Sequence, residues 1–368
     1  MTDGSIEADD LGPAMVVHIQ RRSLGLRAVV AIDNIACGPA IGGIRMAPDV
    51  TAAEAARLAR AMTLKNAAAG LPHGGGKSVI FGDPHMPIAD KERLVRAFAT
   101  AIADLKDYIP GPDMGTNEQC MGWVSDEIGR AVGLPRELGG IPLDEIGATG
   151  LGVAIAVEVA SGFAGLALRG ARVAVQGFGA VGIHAARFLA NRGAVLIAAG
   201  DSRGTIVDPS GLDVEALAGL KAAGRSVLDH GRGERRACDA VIDVACDVWI
   251  PAARPDVITA ANVARLNTRV VAQGANIPFT LDAERALHGR GVLVVPDFIA
   301  NAGGVICAAT EYHGGTEAQA LATIEAKIRA NTHQVLEQSR AANTPPRDAA
   351  LALAERRVRS AAMSRRWR

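Results

Sequence analysis

The chain has 368 residues, and at roughly 150 residues per domain this length predicts about two domains. Lys plus Arg and Asp plus Glu number 39 each, so the net charge is zero, which excludes a protein that binds nucleic acid or anionic membranes by overall charge. Hydrophobic residues make up 49% but aromatic residues only 3%, so we expect cores of small aliphatic side chains in closely packed helices and strands.

Three further features concern the cellular compartment and the class of protein. The five cysteines are odd in number and form no CxxC pair, so we expect reduced thiols in the cytoplasm, with no structural zinc or other metal. The polar, acidic start of the chain predicts no secretory signal. The longest apolar stretch, 147–168, is interrupted by a glutamate, a serine and glycines, which favours a buried helix over a membrane span.

The first part of the chain predicts alternating strands and helices. Thr51 followed by Glu54 is a capping box, which predicts the start of a helix. In chain order, we expect strands within 28–46, a helix over 52–69, a strand over 78–82, a helix over 91–105 and a loop over 109–116.

The second part predicts a doubly wound parallel sheet, because short apolar runs alternate with helical segments. The predicted strands are 171–176, 194–200, 240–245, 248–251, 269–272 and 292–295, with helices from the GFGAVG segment to Asn191 and over 316–340. The fold class is therefore α/β with two domains that meet near Gly147. The Arg-rich end is expected to be a solvated helix or a frayed terminus.

The GFGAVG segment predicts a dinucleotide site. It follows an apolar strand and opens a helix, so Gly177 makes the turn, Gly179 admits a pyrophosphate and Gly182 allows helix–strand packing. The helix N-terminus, with Ala180 and Val181, supplies amide donors for the phosphates. Asp201 follows the next strand, at the position where a carboxylate accepts hydrogen bonds from the ribose hydroxyls of NAD. Alternatively, Arg203 could bind the 2′-phosphate of NADP.

Three polar residues in the first half are candidates for chemistry. Lys77 follows three glycines, so its ammonium could lie in a narrow, poorly solvated cleft with a lowered pKa, although most lysines are simply solvated. Lys65 either stabilises the end of its helix or binds a ligand, and Asp113 is either a turn residue or a reactive carboxylate.

Seven motifs in unbroken order resemble the glutamate/leucine/phenylalanine/valine dehydrogenase family. They are GPAIGGIRM (38–46), MTLKNAAAGLPHGGGKSVIFGDP (62–84), GPDMGTNEQ (111–119), ATGLGV (148–153), GFGAVG (177–182), QGANIP (273–278) and NAGGV (301–305). The resemblance implies reversible oxidative deamination of an L-amino acid to a 2-oxo acid and ammonia with NAD, or with NADP.

The resemblance also implies a domain for each ligand. It places a substrate-binding and catalytic domain at 1–146, onto which a C-terminal helix over 335–368 packs back, and a Rossmann-like domain at 147–334. It further implies a homo-oligomer, with dimer, hexamer and octamer left open, and partners limited to small molecules.

The same resemblance implies roles for individual residues. Lys65, with the backbone of Gly42 and Gly43, binds the substrate carboxylate; Lys77 activates water, and Asp113 moves protons to and from the amino group. The cofactor residues implied by it are Thr149, Asn276 and Asn301.

The substrate depends on the residues expected around its side chain. Glutamate enzymes of the family have a lysine and a serine at the positions of Ile41 and Ala308, near Val305, so an unpaired γ-carboxylate would be costly here. We therefore expect an apolar substrate such as leucine, valine or phenylalanine. A glutamate dehydrogenase with an altered pocket is the alternative, because 116–119 and 138–152 resemble glutamate enzymes. A catalytically silent nucleotide-binding protein is a third hypothesis, although its function would not require two cleft lysines beside a carboxylate.

Overall fold

The computed structural model describes residues 6–365. The two termini, 1–5 and 366–368, lie outside this described part, and the second of them includes the last Arg-rich residues. Within the described part, Cα proximity groups the chain into two compact units. The first comprises 6–143, 305–320 and 353–365, and the second comprises 144–304 and 321–352.

The first unit is a five-stranded mixed sheet with helices on both faces. Its elements are β1 (Met15–Arg21), β2 (Leu26–Asn34), β3 (Ala40–Ala47), α1 (Ala52–Ala68), β4 (Gly74–Phe81), α2 (Ile88–Ala101), β5 (Tyr108–Pro112) and α3 (Glu118–Ile128). The strand order is β1-β2-β4-β3-β5, and β3 runs parallel to both β4 and β5. One core joins the sheet to α1, and a second core on the opposite face joins it to α2 and α3.

The second unit is built on a seven-stranded sheet of order β12-β11-β10-β6-β7-β8-β9. Its elements up to residue 300 are α4 (Ala148–Phe163), β6 (Arg172–Gln176), α5 (Ala180–Asn191), β7 (Val195–Asp201), β8 (Gly204–Val207), α6 (Val214–Ala222), β9 (Glu234–Arg236), β10 (Val248–Pro251), β11 (Val270–Ala272), α7 (Leu281–Gly289), β12 (Leu293–Val295) and α8 (Asp297–Ala300). The five strands from β12 to β7 are parallel. The parallel sheet confirms the predicted α/β class.

Three helices complete the chain, and each contributes residues to both units. They are α9 (Gly303–Tyr312), α10 (Glu317–Ala342) and α11 (Pro346–Met363). The division therefore differs from the predicted boundaries, because 305–320 join the first unit and 335–352 join the second.

Buried polar contacts explain this division. The Glu311 carboxylate accepts hydrogen bonds from the amides of Leu134 and Ile141, which ties the end of α9 to the first unit. Arg357 on α11 donates to the carbonyls of Ala67 and Ala68, so the last part of α11 packs on the end of α1.

One predicted strand is wrong. The strand predicted over 240–245 is absent, because residues Cys238–Asp243 form a 3-10 helix. From this 3-10 helix, Val241 and Ile242 pack into the hydrophobic core. The indole of Trp249 donates to the carbonyl of Val241, so this backbone group is satisfied without a strand partner. Among the described helices, none combines the length and apolarity needed to cross a membrane.

Candidate active site

The glycine triplet before Lys77 lies inside a strand, which begins four residues before the strand predicted over 78–82. β4 begins at Gly74, and each glycine faces a neighbour that leaves no space for a side chain. A Cβ on Gly75 would stand 2.0 Å from the amide nitrogen of Thr63 in α1, and one on Gly76 would stand 2.9 Å from the ring of Tyr108. The glycines thus allow close packing on both sides of β4 and put Lys77 in the middle of a buried strand.

Lys77, Asp113 and Arg45 form one charged cluster. The Nζ of Lys77 lies 2.9 Å from Oδ2 of Asp113, and Nε of Arg45 donates to the same oxygen at 2.8 Å. Both contacts fall on Oδ2, which leaves Oδ1 to accept from a ligand. The Lys77 side chain is only 7% exposed, whereas those of Asp113 and Arg45 are 23% and 20% exposed, so the carboxylate is more open to a ligand than the lysine.

The surroundings shift both titrating groups in the direction that acid–base chemistry needs. Burial lowers the pKa of Lys77, against the opposing effect of Asp113 and with a further lowering by the Arg45 charge. Burial alone would raise the pKa of Asp113, but Lys77 and Arg45 together lower it. The carboxylate therefore stays ionised, while the lysine can lose its proton more readily than a solvated lysine.

Arg45 is a site residue that the sequence analysis missed. It lies on β3 two residues beyond Gly43, on the same face, and its Nη1 also donates to Glu54 at 2.5 Å. Glu54 is held by the start of α1, where its amide donates to the Thr51 hydroxyl as the capping box predicted. In the sequence, only the spacing of two residues between Gly43 and Arg45 indicates that both lie on the same face of the strand.

The two glycines of β3 have different tasks. The carbonyl of Gly42 accepts from the hydroxyl of Tyr108, which also contacts Ser78, so this carbonyl is occupied by the protein. A Cβ on Gly43 would stand 2.7 Å from the Cβ of Asp113 and 3.3 Å from Nζ of Lys77. Gly43 therefore has to lack a side chain for the ion pair to form.

The other predicted substrate residues occupy defined places in the first unit. Lys65 is half-buried in the last turn of α1, the helix that packs on the Lys77 face of the sheet. Ile41 is 4% exposed and pairs with Gly75, and it shares the Lys77 face. Val305 and Ala308 are half-buried on α9. Their grouping as one substrate pocket stays a prediction.

In the second unit, the GFGAVG turn has the geometry of a dinucleotide-binding loop. Gly177 has φ of +94°, and a Cβ on it would meet Ala253 at 2.6 Å. A Cβ on Gly182 would stand 2.1 Å from the carbonyl oxygen of Gly177, so α5 packs directly on the turn. By contrast, nothing lies within 4 Å of a Cβ on Gly179, and no side chain caps α5 there. This open space beside free helix amides suits a pyrophosphate.

The predicted asparagines meet beside the same edge of the sheet. Asn276 follows β11, Asn301 follows α8 after β12, and Nδ2 of Asn301 donates to Oδ1 of Asn276 at 2.9 Å. Oδ1 of Asn301 is buried and accepts no hydrogen bond from the described residues. An orphaned acceptor of this kind fits the donor amide or hydroxyls of a nicotinamide nucleotide. Thr149 lies in the first turn of α4, with its hydroxyl 3.2 Å from the position of a Cβ on Gly304.

The loop also borders a cavity. Its volume is about 390 Å³, and it is lined by Phe178, Gly179, Ala180, Ile183, His184, Arg187, Ala218, Lys221 and Ala222. Val181, one residue further along α5, is half-buried. Gly177, Asn276 and Asn301 lie at the carboxyl ends of parallel strands, where ligands of doubly wound sheets bind. The residues present fit a dinucleotide.

Asp201 does not have the free acceptors that the sequence predicted. Its carboxylate accepts from Nζ of Lys221 at 2.9 Å, the Ser226 hydroxyl at 3.1 Å, and the amides of Val227 at 3.0 Å and Arg203 at 2.9 Å. Burial would raise the pKa of Asp201, but Lys221 and these other donors lower it to about 2. Four donors saturate the carboxylate, so the side chain closes a loop and has no free acceptor for a ribose.

The comparisons with known proteins identify the family of the chain. The family model described as Glutamate/Leucine/Phenylalanine/Valine dehydrogenase matches residues 139–366, and the model of the Glu/Leu/Phe/Val dehydrogenase dimerisation domain matches residues 14–130. A glutamate dehydrogenase of Aeropyrum pernix is 39% identical over 91% of this chain and 85% of its own length. The relatives also include enzymes named NADP-specific, from Saccharolobus shibatae at 38% identity, and NAD-specific, from Staphylococcus aureus at 35%.

Two solved structures resemble the chain over nearly its whole length. The hetero-hexameric glutamate dehydrogenase of Thermus thermophilus, in a Leu-bound form, has a TM-score of 0.84 and 30% identity, covering 97% of this chain and 91% of its own. The L-tryptophan dehydrogenase of Nostoc punctiforme has a TM-score of 0.76 and 25% identity, covering 95% and 97%. The chain therefore belongs to the glutamate/leucine/phenylalanine/valine dehydrogenase family of NAD(P)-dependent oxidoreductases that act on the CH–NH₂ group of amino acids.

Proposed function

We propose that Lys77 and Asp113 are the acid–base pair of a reversible oxidative deamination of an L-amino acid with an uncharged side chain. The balanced reaction consumes the amino acid, NAD(P)⁺ and water, and gives the 2-oxo acid, ammonium, NAD(P)H and a proton. The observation that carries the proposal is that Lys77 and Arg45 both contact Oδ2 of Asp113. These contacts keep the carboxylate ionised and leave its Oδ1 available to a ligand.

Each of these side chains has a defined task. Asp113 Oδ1 takes a proton from the substrate ammonium, so the lone pair of the amine nitrogen can form an iminium as Cα loses hydride. Neutral Lys77 then accepts a proton from the water that adds to the iminium carbon. Asp113 returns its proton to the nitrogen, the carbinolamine collapses to the 2-oxo acid while its hydroxyl proton leaves with the ammonia as ammonium, and Lys77 releases its proton to solvent. Lys65 and the Gly43 backbone hold the substrate carboxylate in this proposal.

The dinucleotide supplies the two-electron acceptor for the hydride. Gly179, with the amides of Ala180 and Val181, would hold its pyrophosphate, while Asn276 and Asn301 would hold the nicotinamide nucleotide. Because four donors occupy the Asp201 carboxylate, discrimination between NAD and NADP does not depend on it in this proposal. Thr149, at the start of α4, would also contact the cofactor.

The preference for an uncharged side chain is supported by Ile41 and Ala308. Ile41 is buried in β3, and neither residue can pair a distal carboxylate, whose burial without a partner costs several kcal/mol. The tryptophan dehydrogenase among the structural neighbours indicates that the fold also accommodates an apolar side chain. Glutamate is the alternative substrate, since many relatives bear that name. The ion pair of Lys77 and Asp113 disfavours the silent-protein hypothesis.

Steady-state rates with single L-amino acids, with NAD and NADP in turn, test the substrate class. We expect leucine, valine, phenylalanine or tryptophan to exceed glutamate in kcat/KM, and Ala308→Ser to improve glutamate selectively. Ala309→Ser, a change at the next position of α9, is the matched control. Turnover confined to glutamate in the unaltered enzyme would contradict the proposed preference.

Two wider expectations belong to the same proposal. The match to a dimerisation domain and the hexameric neighbour support oligomer formation, and we place identical chains in that assembly. All five cysteines are free, which suits a reducing cytoplasm. Burial raises the pKa of the Cys246 and Cys307 thiols to about 12, so these two are unreactive core residues.

A further inference from the structure

The residue after Asn276 has an unusual backbone conformation. Ile277 has φ of +47°, in the left-handed region that β-branched residues rarely occupy, and its side chain is exposed, so side-chain packing does not enforce this conformation. Such a backbone persists only where other contacts fix it, and these positions cluster at functional sites. The contacts that hold Ile277 therefore determine where Asn276 points.

Two contacts hold the Ile277 backbone: the Asp256 amide donates to its carbonyl at 2.9 Å, and its own amide donates to Asp297, the first residue of α8. Its Oδ2 accepts from the Ile277 amide at 2.8 Å, and its backbone carbonyl accepts from the Asn301 amide at 2.7 Å. Asp297 thus fixes the segments that carry both cofactor asparagines, one through its side chain and the other through its main chain. The Asp297 residue is only 6% exposed, so its charge needs a buried partner.

Arg347, in the first turn of α11, is that partner. Its Nη2 donates to Asp297 Oδ1 at 2.9 Å and to Gln273 Oε1 at 2.9 Å, and its guanidinium also forms two bonds to Glu284, at 2.6 Å and 2.8 Å. Gln273 closes the network by donating to Glu284 at 2.6 Å and accepting from the Asp297 amide at 3.0 Å. One guanidinium therefore holds two buried carboxylates and the residue that opens the QGANIP loop.

From this network we infer that Arg347 is a positioning residue for the cofactor, acting through Asp297 on the Asn276–Asn301 pair. The inference rests on the proposed function, since it assigns those asparagines to the nicotinamide nucleotide. Without the guanidinium, the Asp297 carboxylate loses its buried cation and rearranges, which releases Ile277 from the left-handed region. Asn276 then turns away, and the orphaned Oδ1 of Asn301 loses its fixed direction.

Titration of NADH fluorescence on the full chain, without amino acid, tests this role. We expect Arg347→Met to raise the NADH Kd at least tenfold and Asp297→Asn to act in the same direction. Arg290→Met is the matched control, because Arg290 lies in the same unit and, among the described residues, its guanidinium donates to the carbonyls of Val263 and Leu266 alone. We expect its Kd within twofold of the unaltered chain.

A rescue variant separates positioning from general support of the fold. Glycine adopts a φ of +47° without strain, so Ile277→Gly should recover part of the affinity in the Arg347→Met background and change little alone. A normal Kd for folded Arg347→Met, or no recovery in the double variant, would overturn the inference. If Arg347→Met does not fold, Asp297→Asn with and without Ile277→Gly gives the same decision. Failure of the unaltered chain to bind NADH would instead overturn the proposed function.

Discussion

Lys77 and Asp113 meet across a strand that lies between theirs. Lys77 is on β4 and Asp113 directly follows β5, while β3 separates the two strands and pairs with both. Their 2.9 Å contact passes over Gly43, which pairs with Gly111 of β5 and has no side chain to obstruct it. The reactive pair thus depends on a glycine in a neighbouring strand.

Gly43→Ala should therefore separate the pair without unfolding the sheet. The new Cβ would lie 2.7 Å from the Cβ of Asp113, 2.9 Å from the Pro112 carbonyl oxygen and 3.3 Å from Nζ of Lys77, so the end of β5 has to shift together with the ion pair. We expect kcat to fall by about 10²-fold or more, within the range of lost general acid–base catalysis, with an unchanged KM for NAD(P). Gly162→Ala is the control, because nothing lies within 4 Å of a Cβ there. Normal turnover by Gly43→Ala would contradict the assignment.

Replacement of Arg45 should shift the pH dependence of deamination. The Arg45 charge lowers the pKa of both Lys77 and Asp113, so Arg45→Met raises both values. Because the reaction needs neutral Lys77, the rise of kcat/KM with pH should move about one unit towards alkaline pH. Arg96→Met removes an arginine whose ion pairs, within residues 6–365, are with acidic residues of α2 and α3, and it should leave the profile in place. A shift towards acid pH would contradict this account.

Gly179→Ala should affect the cofactor far more than the fold. Its Cβ would enter open space in the protein but would occupy the position expected for the pyrophosphate. We expect at least a tenfold rise in NADH Kd and a loss of no more than about 1 kcal/mol in the free energy of unfolding, because alanine is a weaker N-cap than glycine. Gly182→Ala should instead lower the free energy of unfolding by about 1–3 kcal/mol, because its Cβ would clash with the Gly177 carbonyl. Equal NADH affinity in Gly179→Ala would place the phosphates elsewhere.

Asp201→Asn should lower stability without changing cofactor choice. The amide would present donors to Lys221 and the Val227 amide, so we expect a loss of about 2 kcal/mol in the free energy of unfolding at neutral pH. The folded pKa of about 2 lies below the ordinary 3.8, so the carboxylate stabilises above 3.8 and loses this contribution as pH falls towards 2. The variant should lack that pH-dependent loss. A changed ratio of NAD to NADP affinity would contradict this account and indicate that Asp201 contacts the cofactor.

The residues of the glycine loop could be predicted because their constraints are local. Gly177, Gly179 and Gly182 act within six residues of one another, so spacing after a strand was sufficient. The strand through 74–76 could not be predicted in the same way, since glycine has low strand propensity and its place there depends on helix α1 and Tyr108.

Long-range partners account for the remaining differences. Arg45 reaches Asp113 over 68 positions, a contact that no periodicity shows. Asp201 stood at the expected distance after the glycine loop, but Lys221, Ser226 and Val227 return from later in the chain and saturate it. Similarly, α9 and α11 are each divided between the two units, because Glu311 and Arg347 bind buried groups that are far away in the sequence.

Transfer of a label from a 2-deuterated L-amino acid with an apolar side chain is the most direct test of Lys77 and Asp113 as the deaminating pair. With the unaltered enzyme we expect deuterium on the reduced nicotinamide and equimolar ammonia, 2-oxo acid and NAD(P)H. We expect Lys77→Met to bind NADH normally but to form none of these three products. Lys91→Met, which removes an ammonium that contacts the Pro84 carbonyl, should still form all three. Cofactor reduction without ammonia, or full turnover by Lys77→Met, would contradict the account.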